Sequence, residues 1–280
     1  MRALVAGGSG RLGTLVVRQL VEHGVSVRVL TREPRRANHL QELGVEIAEG
    51  DVRQPTTLSA ALHEVDVVVS AVQGFAGPGG VSPQSVDRDG NANLVAAAQE
   101  AGAAVVLVSI VGASADSPME LFRCKHSAEQ AVRSSGVPWT VVRSVAFVEL
   151  WADIVGKGIV LGRGDNPINL VSVYDVADVV TQAVLDPGQR SQVIEVVGPR
   201  CISFNELAAD MRRLCGRPTR VRHVPRWVLR ALAPLHRQPR AALLMDSVDM
   251  TFQPLSGARV GPITSSQALT RWASPSNSGA

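Results

Sequence analysis

Arg2-Ala3-Leu4-Val5-Ala6-Gly7-Gly8-Ser9-Gly10-Arg11-Leu12-Gly13 opens the chain with a short apolar run and four closely spaced glycines. The apolar run predicts a strand over 2–6. Leu15, Val16, Leu20 and Val21 then recur at helical spacing, so Thr14 to His23 reads as a helix stopped by Gly24. The glycines between fit G-x-x-G-x-x-G from Gly7 or G-x-G-x-x-G from Gly8, and both readings share Gly10 and Gly13. Glycine suits a backbone that must turn tightly and approach a pyrophosphate, whose charge then rests on the helix N-terminus. A second strand, Val25 to Thr31, ends about twenty residues later and completes the context of a dinucleotide-binding turn. Gly7, Gly10, Arg11, Leu12 and Gly13 are the expected cradle; a plain strand-to-helix turn is the alternative.

The end of the second strand selects between cofactors. It reads Leu30-Thr31-Arg32-Glu33-Pro34-Arg35-Arg36. An acid there would bind ribose hydroxyls, as for NAD, whereas arginine meets the 2′-phosphate of NADP. Thr31 occupies the acid position and Arg32 follows it, which favours NADP(H) and makes Arg32 the phosphate ligand. NAD(H) stays open through Glu33 if the register slips by one. Asp51 and Val52 end the third strand, where a carboxylate can take the adenine amino group. Ser70, Ala71 and Val72 end the fourth, where small residues let the backbone pass a cofactor. A helix-cap aspartate and an ordinary turn are the alternatives for these positions.

The remaining chain alternates strands and helices. Strands are expected at 45–48, 66–70, 104–109, 139–143, 168–173 and 193–197. Helices are expected at 36–43, 57–62, 91–101, 120–135, 175–185 and 204–215. Several strands are continuous apolar runs, the pattern of a parallel sheet buried on both faces. The expected fold is α/β, a doubly wound parallel sheet (Rossmann). Residues 1–150 form its core, 151–255 a small C-terminal α/β lobe that carries substrate, and 256–280, rich in Ser, Gly and Pro, a flexible tail. A hydrophobic content of 45% with 19% charged residues is ordinary globular usage and excludes a mainly disordered chain. No apolar run reaches the length of a membrane span, so no membrane partner is expected. Three scattered cysteines fit neither a disulfide framework nor a zinc cluster, and a reducing cytoplasm is the expected compartment.

These motifs recur in order with Val108-Ser109, Lys125 with Glu129, Trp139-Thr140-Val141-Val142-Arg143 and Val173-Tyr174-Asp175-Val176-Ala177. Together they resemble the atypical short-chain dehydrogenase/reductases of the NmrA-like, NAD(P)H-binding group, over roughly residues 1 to 215. The resemblance implies nicotinamide near the ends of the fourth and fifth strands. It also implies either reductase activity on ketones or quinones, or a role as redox sensor or assembly factor. The wider superfamily uses Ser, Tyr and Lys, with Tyr four residues before Lys. Here Leu121 holds the Tyr position, and Tyr174 is the only tyrosine in the chain. Lys125, one of two lysines, and Ser109 are the candidate catalytic residues. Lys125 would bind the nicotinamide ribose, hold a water or protonate substrate; the alternative is a surface pair with Glu129 at i,i+4.

A planar apolar or aromatic small molecule, whose own chemistry relaxes the need for a protein acid, suits the residues expected around the pocket. These are Gln73, Phe75, Phe122, Val145, Phe147 and Trp151, each of which core packing would also explain. The stretch from Gln73 to Gly80 reads as a lid or a loop. Residues 211–245 carry nine arginines and no acid. Such a stripe can touch nucleic acid, but no recognised binding motif accompanies it, and Trp227, Leu229, Leu232 and Leu235 predict a helix that packs. The leading expectation is an NADPH-dependent reductase of a ketone or quinone that acts without the usual tyrosine. A non-catalytic NADP(H) sensor and an isomerase are the alternatives.

Overall fold

The computed structural model describes residues 1–75, 79–215, 221–252 and 257–274. In chain order the elements begin β1 (Arg2–Ala6), α1 (Arg11–Glu22), β2 (Ser26–Thr31), α2 (Asn38–Gln41), β3 (Glu46–Glu49), α3 (Leu58–Ala61) and β4 (Val67–Ser70). A π-helical turn (Pro83–Arg88) leads into α4 (Asp89–Ala101), followed by β5 (Ala104–Ile110), α5 (Glu120–Ser134) and β6 (Trp139–Ser144). Next come β7 (Ala146–Phe147), α6 (Val148–Val155), β8 (Ile159–Leu161), β9 (Ile168–Val171), α7 (Val173–Leu185) and β10 (Gln192–Val197). The chain continues through β11 (Cys201–Ile202), α8 (Phe204–Cys215), β12 (Arg222–Val224), α9 (Arg226–Leu232), α10 (Arg237–Met245), β13 (Arg259–Val260) and α11 (Ser265–Ala273).

Two compact units emerge, residues 1–144 with 176–194, and 145–175 with 195–280. The first boundary falls six residues before the expected one, and most of α7 belongs with the first unit. In that unit the strands run β3-β2-β1-β4-β5-β6-β10. Neighbours from β3 to β6 pair in parallel, with Val5 opposite both Val29 and Val69. Strand order reverses between β1 and β4, the switch point at which doubly wound sheets bind ligands. The apolar runs are buried on both faces as expected: Leu4, Val5, Val68, Val69, Val105 and Val106 are fully shielded. Each such side chain contributes about 1.5–3 kcal/mol relative to exposure. Leu94, Val95 and Ala98 of α4 and Ala128 and Val132 of α5 join this core.

In the second unit β9 pairs with β7 and β11, β8 with β12, and β13 with the end of β10. The flexible tail expected from 256 is corrected by α11. Thr264 and Gln267 form a reciprocal cap at its start, and Ala268 and Leu269 are fully buried. Composition alone missed the apolar face inside a Ser-rich segment. Residues 256 and 275–280 of that expectation lie outside the described residues.

Candidate active site

Each glycine of the first loop has a distinct physical reason. Gly7 has φ +83°, a left-handed conformation, and a Cβ there would press on the backbone of Ala71 at 2.8 Å. A Cβ on Gly13 would overlap the Gly7 carbonyl, so this glycine lets α1 approach β1. Gly10 differs: a Cβ would meet only the Gly7 oxygen, at 3.3 Å, and its backbone suits any residue. The turn, the close approach and the helix contact thus follow the spacing that starts at Gly7. Gly10 is also the N-cap of α1, which has no side-chain cap and no acid in its first turn. An open cradle in front of uncapped backbone N–H groups fits a pyrophosphate.

At the end of β2, Thr31 is buried and Arg32 is exposed beside it. Asp51 is not left open for an adenine. Both its oxygens are taken by Arg53, through Nε at 3.0–3.1 Å and Nη2 at 2.6 Å. Burial acts to raise the Asp51 pKa, but the hydrogen bonds and charge of Arg53, joined by the charge of Arg32, hold it below the ordinary value. Arg53 also donates to the Gly79 carbonyl at 2.7 Å. The Arg53 guanidinium thus pairs with the carboxylate that was expected to face the adenine, and the charge of Arg32 acts on it as well.

Lys125 does not pair with Glu129. Its side chain is 5% exposed, with Nζ 3.0 Å from Asp87 Oδ1 and donating to the Val72 and Val108 carbonyls at 3.1 and 3.0 Å. Two carbonyls thus accept hydrogen bonds from the ammonium, while Asp87 Oδ1, which makes no hydrogen bond, stands beside it as the counter-charge. Asp87 is fully shielded, and its other oxygen accepts the Gly74 N–H at 2.7 Å. Asn91 donates to the Asp87 carbonyl and accepts the Ser70 hydroxyl proton at 2.5 Å. One buried network so ties the ends of β4 and β5 to the π-helical turn, α4 and α5. Cys124 faces the same carboxylate; burial first, then Asp87 and Glu120, pushes its thiol above the ordinary pKa.

Glu129 serves a second network. It is fully shielded, receives the Ser109 hydroxyl at 2.6 Å and binds Arg143 through Nε and Nη2 at 2.8 and 2.7 Å. Ser109 therefore directs its proton at a carboxylate. Leu121, one helical turn before Lys125, is buried and supplies no hydroxyl. Tyr174 lies under the Arg271 guanidinium, 5.1 Å from the ring centre.

Of the expected pocket residues, Gln73, Phe75 and Phe122 belong to the first unit. Gln73 is exposed, Phe75 half-buried and Phe122 buried. Gly74, at the start of the expected lid, is pinned by Asp87, and a Cβ there would overlap the Ser82 carbonyl. Residues 76–78 of that loop lie outside the described residues. Val145, Phe147 and Trp151 belong to the second unit, where Val145 is core. Trp151 packs on Phe204 with ring centres 4.4 Å apart and, with Val155, Val160 and Met245, lines a small apolar recess.

Sequence reasoning missed Asp87, Asn91 and Arg53. Asp87 sits in Val86-Asp87-Arg88-Asp89, where charge reads as solvated surface, and no spacing rule links it to Lys125. Arg53 at i+2 from Asp51 was readable as an Asx-type turn, since its own N–H donates to Asp51 Oδ1 at 2.9 Å.

Comparison with known proteins shows the family and the fold. A family model described as NAD(P)H-binding matches residues 7–187. NAD(P)H azoreductase of Xenophilus azovorans is 34% identical over 223 residues, 78% of this chain and 75% of that one. Photosystem II assembly factor Ycf39 of Synechocystis is 32% identical over 237 residues, 82% and 72% of the two chains. The fold is shared with Citrobacter triphenylmethane reductase in its NADP(H) complex, at a TM-score of 0.76 and 21% identity over 97% of this chain and all of that one. With a family model matched over residues 7–187 and a relative 34% identical, the chain belongs to the NAD(P)H-binding family.

Proposed function

We propose that this NAD(P)H-dependent oxidoreductase uses NADPH to reduce a planar, conjugated acceptor, a quinone or an aromatic dye, without a protein acid. The observation that carries the reading is the pairing of Leu121 with an enclosed Lys125. The position for a donor hydroxyl holds a hydrocarbon, and the ammonium one turn away faces Asp87 and two carbonyls. A reduced ketone leaves an alkoxide about as basic as hydroxide, which needs an acid in the transition state. A reduced quinone leaves a phenol-type anion, about pKa 10, which takes its proton from water.

When bound, NADPH supplies the hydride; the chain supplies orientation. Gly7, Gly10 and the first turn of α1, with Arg11, Leu12 and Gly13, hold the pyrophosphate. Arg32 meets the 2′-phosphate, while Ala71 and Val72 pass along the cofactor. Lys125, held against Asp87, donates directly to the Val72 and Val108 carbonyls and so fixes the backbone after β4 and within β5. Phe75 and Phe122, both of the first unit, would offer apolar contact to an aromatic acceptor. NADPH consumption with a naphthoquinone, an azo dye, a triarylmethane dye and an aliphatic ketone tests the reading. Turnover with at least one conjugated acceptor and none with the ketone is expected; equal turnover of the ketone would refute it. The Ycf39 relative supports a second reading, NADP(H) binding without turnover in an assembly role, which the same assay would reveal as tight binding with no consumption.

A further inference from the structure

The arginine-rich segment does not pack as its sequence suggests. Leu229 is buried, but Trp227 is 71%, Leu235 75% and Leu232 39% exposed. Three of the eight exposed large apolar side chains among the described residues thus fall within nine positions. A helix bearing one buried leucine cannot also turn Trp227 inward, since the two point to different sides. Surface apolar residues scattered singly need no explanation; a cluster on one hairpin does. The α9–α10 hairpin is itself firmly held. Leu229, Ala242 and Met245 are buried, and Arg226 binds Asp246 at 3.4 Å and the Ser247 hydroxyl at 2.8 Å.

The same stretch of chain carries exposed Arg222, Arg230, Arg237 and Arg240 and no acid. We propose that this hairpin docks the protein on an anionic lipid bilayer, with Trp227, Leu232 and Leu235 entering the headgroup boundary and the arginines meeting lipid phosphates. The combination of an indole and leucines with a rim of cations is the composition of interfacial anchors. A nucleic acid would use the cations but leave the leucines without a role. A two-fold contact with a second copy would bring each arginine cluster against its own mate. The association is peripheral: no described helix is long and apolar enough to cross a membrane. It stands apart from the proposed reaction and requires no residue of the cofactor site.

Sedimentation of the full-length protein with sucrose-loaded vesicles tests it, comparing phosphatidylcholine alone with phosphatidylcholine containing phosphatidylglycerol. Binding should require the anionic lipid and weaken at high salt. Each arginine near such a surface contributes about fivefold in affinity, so R230Q/R240Q should lose about 25-fold. W227S/L235S should lose at least about tenfold, and both variants should keep wild-type NADPH affinity, which shows that they are folded. Brominated lipid should quench a tryptophan signal that is absent in W227F. Lack of binding to anionic vesicles, or binding unchanged in W227S/L235S, would overturn the proposal. So would self-association abolished by W227S/L235S, or displacement of vesicles by polynucleotide acting through the same arginines.

Discussion

Lys125 Nζ lies 3.0 Å from Asp87 Oδ1, with both side chains shielded from water. The pair joins α5 to the π-helical turn, and the two carbonyls beside it belong to the ends of β4 and β5. Removing one partner of a buried pair costs about 3–5 kcal/mol, because the other charge stays behind. Lys125→Met should therefore lower the unfolding free energy by that amount and weaken NADPH binding. Adding Asp87→Asn should restore part of the stability. Denaturant unfolding of the four proteins in this cycle measures the coupling; strictly additive losses would show that the pair does not act as a unit.

Gly10 and Gly13 should separate binding from folding. Gly10→Ala adds a methyl group into the cradle with little protein contact, so stability should hold while NADPH affinity falls at least about tenfold, about 1.4 kcal/mol. Gly13→Ala drives a methyl group into the Gly7 carbonyl and should cost at least about 1–3 kcal/mol of stability. Parallel thermal melts and NADPH titrations check both.

Under the proposed reading, Arg32 sets the choice of nucleotide. Arg32→Ala should weaken NADPH by about 10- to 100-fold, the loss of a charge-assisted bond worth about 1.5–3 kcal/mol, and leave NADH nearly unchanged. Equal losses for both nucleotides, measured by fluorescence titration, would remove Arg32 from the phosphate site.

Asp51 adds an acid-sensitive component to stability. Its folded pKa is depressed, so the contribution is complete above the unfolded value, about 4, and is lost as pH falls through the lower folded value. Asp51→Asn should be destabilised by a constant amount from pH 5 to 8, and the gap to wild type should close below about pH 4. Urea midpoints across that range measure the gap.

The alternation of strands and helices and the turn at the glycine loop were legible because local pattern determines them. The runs 2–6, 66–70 and 104–109 read as buried strands, and Gly7 to Gly13 as a tight turn into a helix. Asp87 was not legible, since its burial depends on Lys125 arriving from almost forty positions away. Trp227 and Leu235 misled for a related reason: an apolar residue in a helix predicts packing, yet here Leu229 alone supplies the packing contact. The ends of the chain misled through composition, where Ser and Gly hid the face that buries Ala268 and Leu269.

Hydride transfer that needs no protein acid is distinguished from acid-assisted transfer by isotope effects on naphthoquinone reduction. With NADPH deuterated at the transferred position, the rate of quinone reduction should fall; in D2O with ordinary NADPH it should be nearly unchanged. A solvent effect as large as the cofactor effect would mean that a protein group delivers a proton in the same step, and would contradict the account.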